Sequence, residues 1–278
     1  MGEYFRLEQP ASTAPLAVQI ATAADWEISV CPTAEFLHYD GHRLKSNLAV
    51  KVLHNRKNEL LIWAWVRGCL VHEKLIAELD AMGATGYRLK PGSVQFRDGS
   101  VSNEYRELVV TGWGGVASPE SGLKSIERCL DCHYVRYGSL PHPEKLMDWS
   151  QWTGEDFFAI WPLQWSIFIT GRVADLLRRL KARSYTVERP SRSWGGPTVG
   201  RLSESIPEDL AQKYGEPLGI ERGKAMWITM DKTAEAQARA RLADDKPRFP
   251  SDPPGRRVVR KLGESRDGRD VAQSNDNH

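Results

Sequence analysis

Cys129-Leu130-Asp131-Cys132 sets two thiols at the CxxC spacing, in which one tight turn aims both thiolates at a single metal ion and a second pair of ligands completes a tetrahedron. One pair is half a site. Cys31, Cys69, His38, His42, His133 and His142 are the residues from which the other half would come, and Cys31 with Cys129, Cys132 and one histidine is a chemically sensible zinc set. With His133 the motif also spells CxxCH, the haem-attachment pattern, but that chemistry follows export and the opening residues Met1 to Glu8 carry no basic region leading into an apolar run. A thioredoxin-like role requires CxxC to open a helix after a strand, whereas Tyr134, Val135 and Tyr137 favour extended structure here.

Other arrangements are weaker. His38 and His42 would share a helical face, yet Gly41 interrupts them and the glutamate of an HExxH motif is missing. Glu155 and Asp156 are adjacent, and on a strand adjacent carboxylates point to opposite faces, which argues against a shared acid/base role. No Ser/His/Asp or Cys/His set has local support. Trp149, Trp152, Trp161 and Trp165 fall in one short segment, which reads either as a binding surface rich in contact area or as core and core-rim packing.

Composition bounds the partners. The 278 residues, 41% hydrophobic and 27% charged, suffice for one large domain or two small ones with a buried core. A formal charge of +2 from 38 basic and 36 acidic side chains gives no bulk attraction to nucleic acid or an anionic membrane. The longest apolar run, Leu60 to Val66, is far too short to span a bilayer and is bounded by Glu59 and Arg67. A cytoplasmic chain with thiols in place of disulfides is the expectation.

The elements that would position these residues follow from periodicity. Tyr4 to Leu7 alternates as an edge strand closed by Pro10, and Trp26 to Val30 alternates before Cys31-Pro32. Residues 60 to 66 predict a buried strand; after Gly68 a helix carries Leu75, Leu79 and Met82, Gly83 ends it, and Tyr87 and Leu89 form a short strand stopped by Pro91. Tyr105 to Trp113 is strand-like and Gly114-Gly115 breaks it. Trp165 to Ile169 predicts a strand, Thr170 a helix cap, and Val173, Leu177 and Leu180 a helix, followed by Tyr185 and Val187. Leu75, Leu79, Met82, Tyr87 and Leu89 map onto Val173, Leu177, Leu180, Tyr185 and Val187 at one constant offset. A duplicated strand-helix-strand unit explains this, and so does the generic periodicity of any amphipathic helix followed by a strand. A helix is expected to start near Ser205 to Asp209, and another over Thr233 to Leu242. The proline-rich, charged residues after about Asp244, with Arg256, Arg257, Arg260 and Lys261 among acidic neighbours, read as a disordered, solvated tail.

The stretch from Cys129 to Pro190 resembles the second half of the double-CXXCG motif paralogue family of predatory soil bacteria, some of whose members are described as immunity proteins for toxins exchanged between cells. The resemblance rests on Cys129 and Cys132, Pro141 and Pro143, Thr153, Gly154, Asp156 and Phe158, then Arg172, Leu176, Arg178, Arg179 and Leu180, and finally Tyr185 and Val187. Tyr4-Phe5-Arg6-Leu7 is similar to the family's opening strand, and Cys31-Pro32-Thr33-Ala34 to its first knuckle with the second cysteine replaced by Ala34. His133 stands where the second knuckle has glycine, and with Ala34 the first knuckle has lost a ligand, so the family's four-cysteine zinc site is not available in this chain.

The expectation is therefore an α+β protein of two related strand-helix-strand units, about residues 1–120 and 121–230, with a mostly disordered charged tail over 231–278. The resemblance implies a non-enzymatic immunity or antitoxin protein whose partner is a cognate protein toxin, without nucleic acid or membrane. Trp149, Trp152, Trp161 and Arg172 are its candidate anchors. The alternative is a zinc-binding structural or regulatory module on Cys129, Cys132 and Cys31. A third possibility, an enzyme whose site assembles across the units, has no residue-level support.

Overall fold

In the N-terminal half, alternation and the turn residues produce β1 (Tyr4–Glu8), β2 (Val18–Gln19), β3 (Trp26–Val30), β4 (His42–Leu44), β5 (Leu48–Lys51), β6 (Leu61–Trp63) and β7 (Cys69–His72). Helix α1 (Glu73–Ala81), β8 (Tyr87–Gln95), β9 (Val101–Val110) and β10 (Gly112–Val116) follow. The later elements are β11 (Ser125–Arg128), β12 (Val135–Tyr137), β13 (Phe157–Trp161), β14 (Ile167–Thr170), α2 (Gly171–Arg179), β15 (Thr186–Glu188), β16 (Val199–Gly200) and β17 (Met226–Thr229). The computed structural model describes residues 3–9, 17–20, 26–30, 42–44, 46–64, 68–128, 135–163, 166–182, 184–190, 199–200 and 226–229. The helices expected near Ser205 and Thr233, and the tail, lie outside the described residues.

The fold is α+β, as expected. One sheet runs β2-β5-β8-β9-β7-β6, a second runs β10-β13-β14-β1-β15, and smaller sheets run β11-β12-β16 and β17-β3-β4. Ala17 bridges Ala64 in parallel while Val18 and Gln19 pair with Lys51 and Val50, so the two ends of the six-stranded sheet meet and it closes as a barrel. Leu48, Val50, Ile62, Leu70, Val94, Phe96 and Tyr105 fill the interior. A barrel this narrow has room only for side chains. At Gly92 an added Cβ would come within 2.4 Å of Leu70 Cδ2, so glycine there is what admits the leucine.

The outer wall of the barrel and the second sheet share another core. Phe5, Leu7, Cys69, Val71, Leu108, Phe157 and Ile169 meet Leu75 and Leu79 of α1 and Val173, Leu176 and Leu177 of α2. On its far face the second sheet presents Tyr4, Phe158, Ile160 and Phe168 to Leu140, Leu146, Met147 and Leu163. The boundary expected at residue 120 does not divide the sheets: β1 and β10 both belong to the second one.

Several local expectations are corrected. β1 is an interior strand between β14 and β15, because Tyr4 faces one core and Phe5 and Leu7 the other, and a strand apolar on both faces is buried by being flanked. The strand that feeds α1 is β7, not residues 60–66; the chain first turns back so that β6 and β7 form a hairpin closed by Ala64 N–H donating to Gly68 O at 2.8 Å. Pro91 does not stop β8, since pairing with β5 begins only at Gly92 and the missing N–H costs that ladder nothing. Gly114 and Gly115 do not end a strand but lie inside β10, where the pairing with β13 shifts register. A Cβ on Gly114 would meet Phe158 Cδ2 at 2.5 Å, so the bulge needs glycine.

The duplication survives inspection of the backbone. β7 and β14, and α1 and α2, have identical lengths at the one offset that joins Leu75 to Val173, and β15 falls at that same offset within β8. Both helices end alike, on an αR residue (Met82, Leu180) followed by a left-handed one, Gly83 at φ +64 and Lys181 at φ +51. Contacts between the units are reciprocal: Thr85 and Gly86 dock against the start of β13, and Ser184 donates to Glu59 Oε2 just before β6 at 2.6 Å. Such exchange is what a two-fold relation produces.

Lysine in the left-handed region carries a Cβ clash that glycine lacks. Lys181→Gly should raise stability by about 0.5–1 kcal/mol, because the gain exceeds the extra entropy glycine loses on folding. A urea midpoint lower than that of the unsubstituted chain would contradict it.

Candidate functional site

The segment from Leu146 to Asp156 crosses the outer face of the second sheet and is fastened residue by residue. Asp148 heads it: its carboxylate accepts from Ser150 N at 3.0 Å, Ser150 Oγ at 2.7 Å and Gln151 Nε2 at 2.8 Å. Those bonds, from the Gln151 side chain first and then from Ser150, hold the Asp148 carboxyl below the usual carboxylate range. Gln151 Oε1 in turn accepts from Val116 N at 3.0 Å, and Thr153 exchanges bonds with the Trp113 backbone, its N–H donating to Trp113 O at 3.1 Å. The segment is thereby locked to β10.

Trp149 and Trp152 project from this strap onto the sheet. Their rings meet edge to face with centroids 5.6 Å apart; Trp149 also meets Tyr4 at 5.8 Å, and Trp152 meets Phe158 at 6.0 Å. Phe158 stacks on Phe168 at 5.9 Å beneath them. Both tryptophans are half-buried, and Trp152 Nε1 donates to Glu155 O at 3.2 Å. The arrangement is a rigid aromatic platform with its edge in solvent.

The four anchors expected from the sequence do not assemble. Trp149 and Trp152 come together, but Trp161 is 1% exposed and belongs to the interior, so no partner can reach it. Its place in an all-buried strand, Phe157–Trp161, explains why. Arg172 sits on α2, against the opposite face of the sheet. Its Nη2 donates to Met82 O at 2.6 Å and Gly83 O at 3.2 Å, and its Nε lies 3.0 Å from Asp156 Oδ1. Asp156 is itself buried, accepting also from Thr85 N at 3.1 Å and Thr170 Oγ1 at 2.8 Å. This carboxylate joins the α1–β8 turn, β13 and the start of α2, a structural duty that leaves it unavailable for acid/base work. Thr170 is at the predicted cap position, yet its hydroxyl serves Asp156 and makes no cap bond.

Cys31, Cys129, Cys132, His38 and His133 lie outside the described residues. The strands on either side of 129–134 are antiparallel partners, with Arg128 opposite Val135. Cys69, another candidate ligand, is a core residue whose thiol burial pushes strongly upward, so it remains protonated and inert. Among the described residues no group of three His, Cys, Asp or Glu side chains could hold a metal ion.

Sequence reasoning missed His72, which occupies in the first unit the place of Thr170. It is buried at the N-terminus of α1, where Nδ1 accepts from Lys74 N at 3.1 Å, Nε2 lies 3.5 Å from Glu104 Oε2, and the ring meets Tyr105 edge to face. Capping requires Nδ1 to be unprotonated. Burial lowers the pKa first and Lys74 lowers it further, against the raising influence of Glu104 and Glu73. A histidine with a depressed folded pKa binds its proton more readily when unfolded, so stability falls as pH drops below about 6.5 toward the folded value. His72→Asn keeps an acceptor at the cap without the titration, and should flatten the urea midpoint between pH 7.5 and 5; an unchanged slope would contradict this assignment.

Among the described residues no helix is long and apolar enough to cross a membrane. Searches against protein-family models and against curated proteins return no match for this chain.

Proposed function

We propose that the chain is a cytoplasmic, non-enzymatic protein-binding module of the immunity type, which neutralises a cognate protein toxin by covering its active surface. The observation that carries this reading is the Trp149–Trp152 platform: two large, partly buried aromatic rings packed on the sheet, held by a strap whose Gln151 and Trp152 side chains are hydrogen-bonded. Aromatic anchors that are already immobilised contribute most to binding because little side-chain entropy is lost on association. The resemblance of Cys129 to Pro190 to immunity-type proteins points the same way. The experiment is co-expression with any protein encoded beside this chain's gene that arrests growth on its own: growth is restored by the chain and not by a Trp149→Ala/Trp152→Ala variant. Growth arrest that the chain leaves unrelieved counts against the reading.

A zinc-binding structural or regulatory module is the second reading, favoured by the antiparallel pairing of β11 and β12 on either side of Cys129 and Cys132. Elemental analysis of protein made without a metal-binding tag, with melting in the presence and absence of a chelator, separates the two. About one zinc per chain and a chelator-sensitive melt would favour the module, since structural zinc contributes directly to folding.

A further inference from the structure

In the first unit, the strand between β7 and β8 is β9, which reaches its place through a short hairpin from β8, with Phe96 N–H donating to Ser100 O at 2.8 Å. In the second unit the place between β14 and β15 is taken by β1, antiparallel to both, as β9 is to its neighbours. The correspondence holds residue by residue. Tyr4 faces Thr170 as Tyr105 faces His72, and Leu7 faces Val187 as Leu108 faces Leu89. One pair is inverted in charge: Arg6 lies opposite Glu188, whereas Glu107 lies opposite Lys90. Opposite charges directly across a ladder favour that register and like charges oppose it. Each unit therefore keeps a matched pair with its signs exchanged.

We infer that β1 is a donor strand and that the slot between β14 and β15 is its acceptor, able to take the same strand from a second copy of this chain. The second unit is incomplete without a segment that its own sequence does not supply. Tyr4, Phe5 and Leu7, all buried, close both of its cores, and the start of the strand is clasped by Gly171 N–H donating to Glu3 O at 3.2 Å and by Arg189 on Glu3 Oε1 at 2.7 Å. Recognition is that of strand addition: main-chain bonds on both sides give affinity, and alternate pockets with one charge pair give selectivity. Every other strand of that sheet lies at Gly112 or later, so the slot is filled by a segment distant in the chain, and exchanging an identical element between copies is a direct route to a dimer.

The test uses two full-length variants, Arg6→Glu and Glu188→Lys. Each alone places like charges across the ladder in its own molecule, while a mixture can match both pairs only by exchanging strands. Co-refolded at equal concentration, the two should shift to a 1:1 heterodimer mass by light scattering. The double variant R6E/E188K should be monomeric and melt above either single variant, short of the unsubstituted chain only by the loss of the Arg6–Glu8 ion pair. Folded variants that remain monomers after co-refolding would overturn the inference. Should a charge variant fail to fold, L7C/V187C replaces it, since these residues face each other. Tagged and untagged L7C/V187C chains, co-refolded and oxidised, should form disulfides between tagged and untagged chains; disulfides confined to single chains would overturn the inference.

Discussion

Replacing Asp156 by alanine lowers stability by about 2–4 kcal/mol, because one buried carboxylate satisfies three donors from separate elements. Thr85 N–H, Thr170 Oγ1 and Arg172 Nε all reach it, at 3.1, 2.8 and 3.0 Å. Arg172 is half in solvent and can rehydrate, so most of the loss comes from the Thr85 amide and the Thr170 hydroxyl, which the alanine leaves without an acceptor. Asp156→Asn tests that division. Its amide can accept from one group but turns a donor toward another, so it should recover less than half of the loss, whereas Thr170→Val should cost only about 1 kcal/mol. Urea unfolding of the three variants checks the order; Asp156→Asn as stable as the unsubstituted chain would show that the hub matters little.

Phe158→Ala is expected to cost more, about 3–5 kcal/mol, the range for emptying a large aromatic from a packed interior. Phe158 is fully buried, stacks on Phe168 and meets Tyr4 and Trp152, and Gly114 of β10 is packed against its ring. The vacancy would sit directly under the tryptophan platform. Thermal melting should show the loss, and near-ultraviolet circular dichroism a change in the Trp149–Trp152 signal. A melt within a degree of the unsubstituted chain would mean that the strap, and not the sheet beneath it, holds the platform.

The helices were legible because helical period is local: Leu75 and Leu79, and Val173 and Leu177, are buried where spacing put them, and Gly83 stops α1. The α+β class and the repeated unit followed from the same pattern. Strand positions were less legible, because what decides them is distant. Nothing near Tyr4 tells that Thr170 and Glu188 will flank it, and nothing near Gly114 tells that Phe158 will press on it. At the candidate site the aromatic density from Trp149 to Trp161 was visible in the sequence, but the sorting of Trp149 and Trp152 to the rim and Trp161 to the interior depended on which sheet face each met. Arg172 looked free because its partners, Asp156 and the carbonyls of Met82 and Gly83, come from elsewhere in the chain.

The measurement that bears most directly on the proposed function is a calorimetric titration of the purified chain with any growth-arresting protein encoded beside its gene, repeated with Trp149→Ala/Trp152→Ala. If the platform is the anchor, the unsubstituted chain binds one to one and the variant, still folded by circular dichroism, loses at least about 2 kcal/mol, a Kd about thirtyfold weaker. A variant that binds as tightly as the unsubstituted chain would place the partner surface elsewhere, and no heat of binding from either would contradict the immunity reading itself.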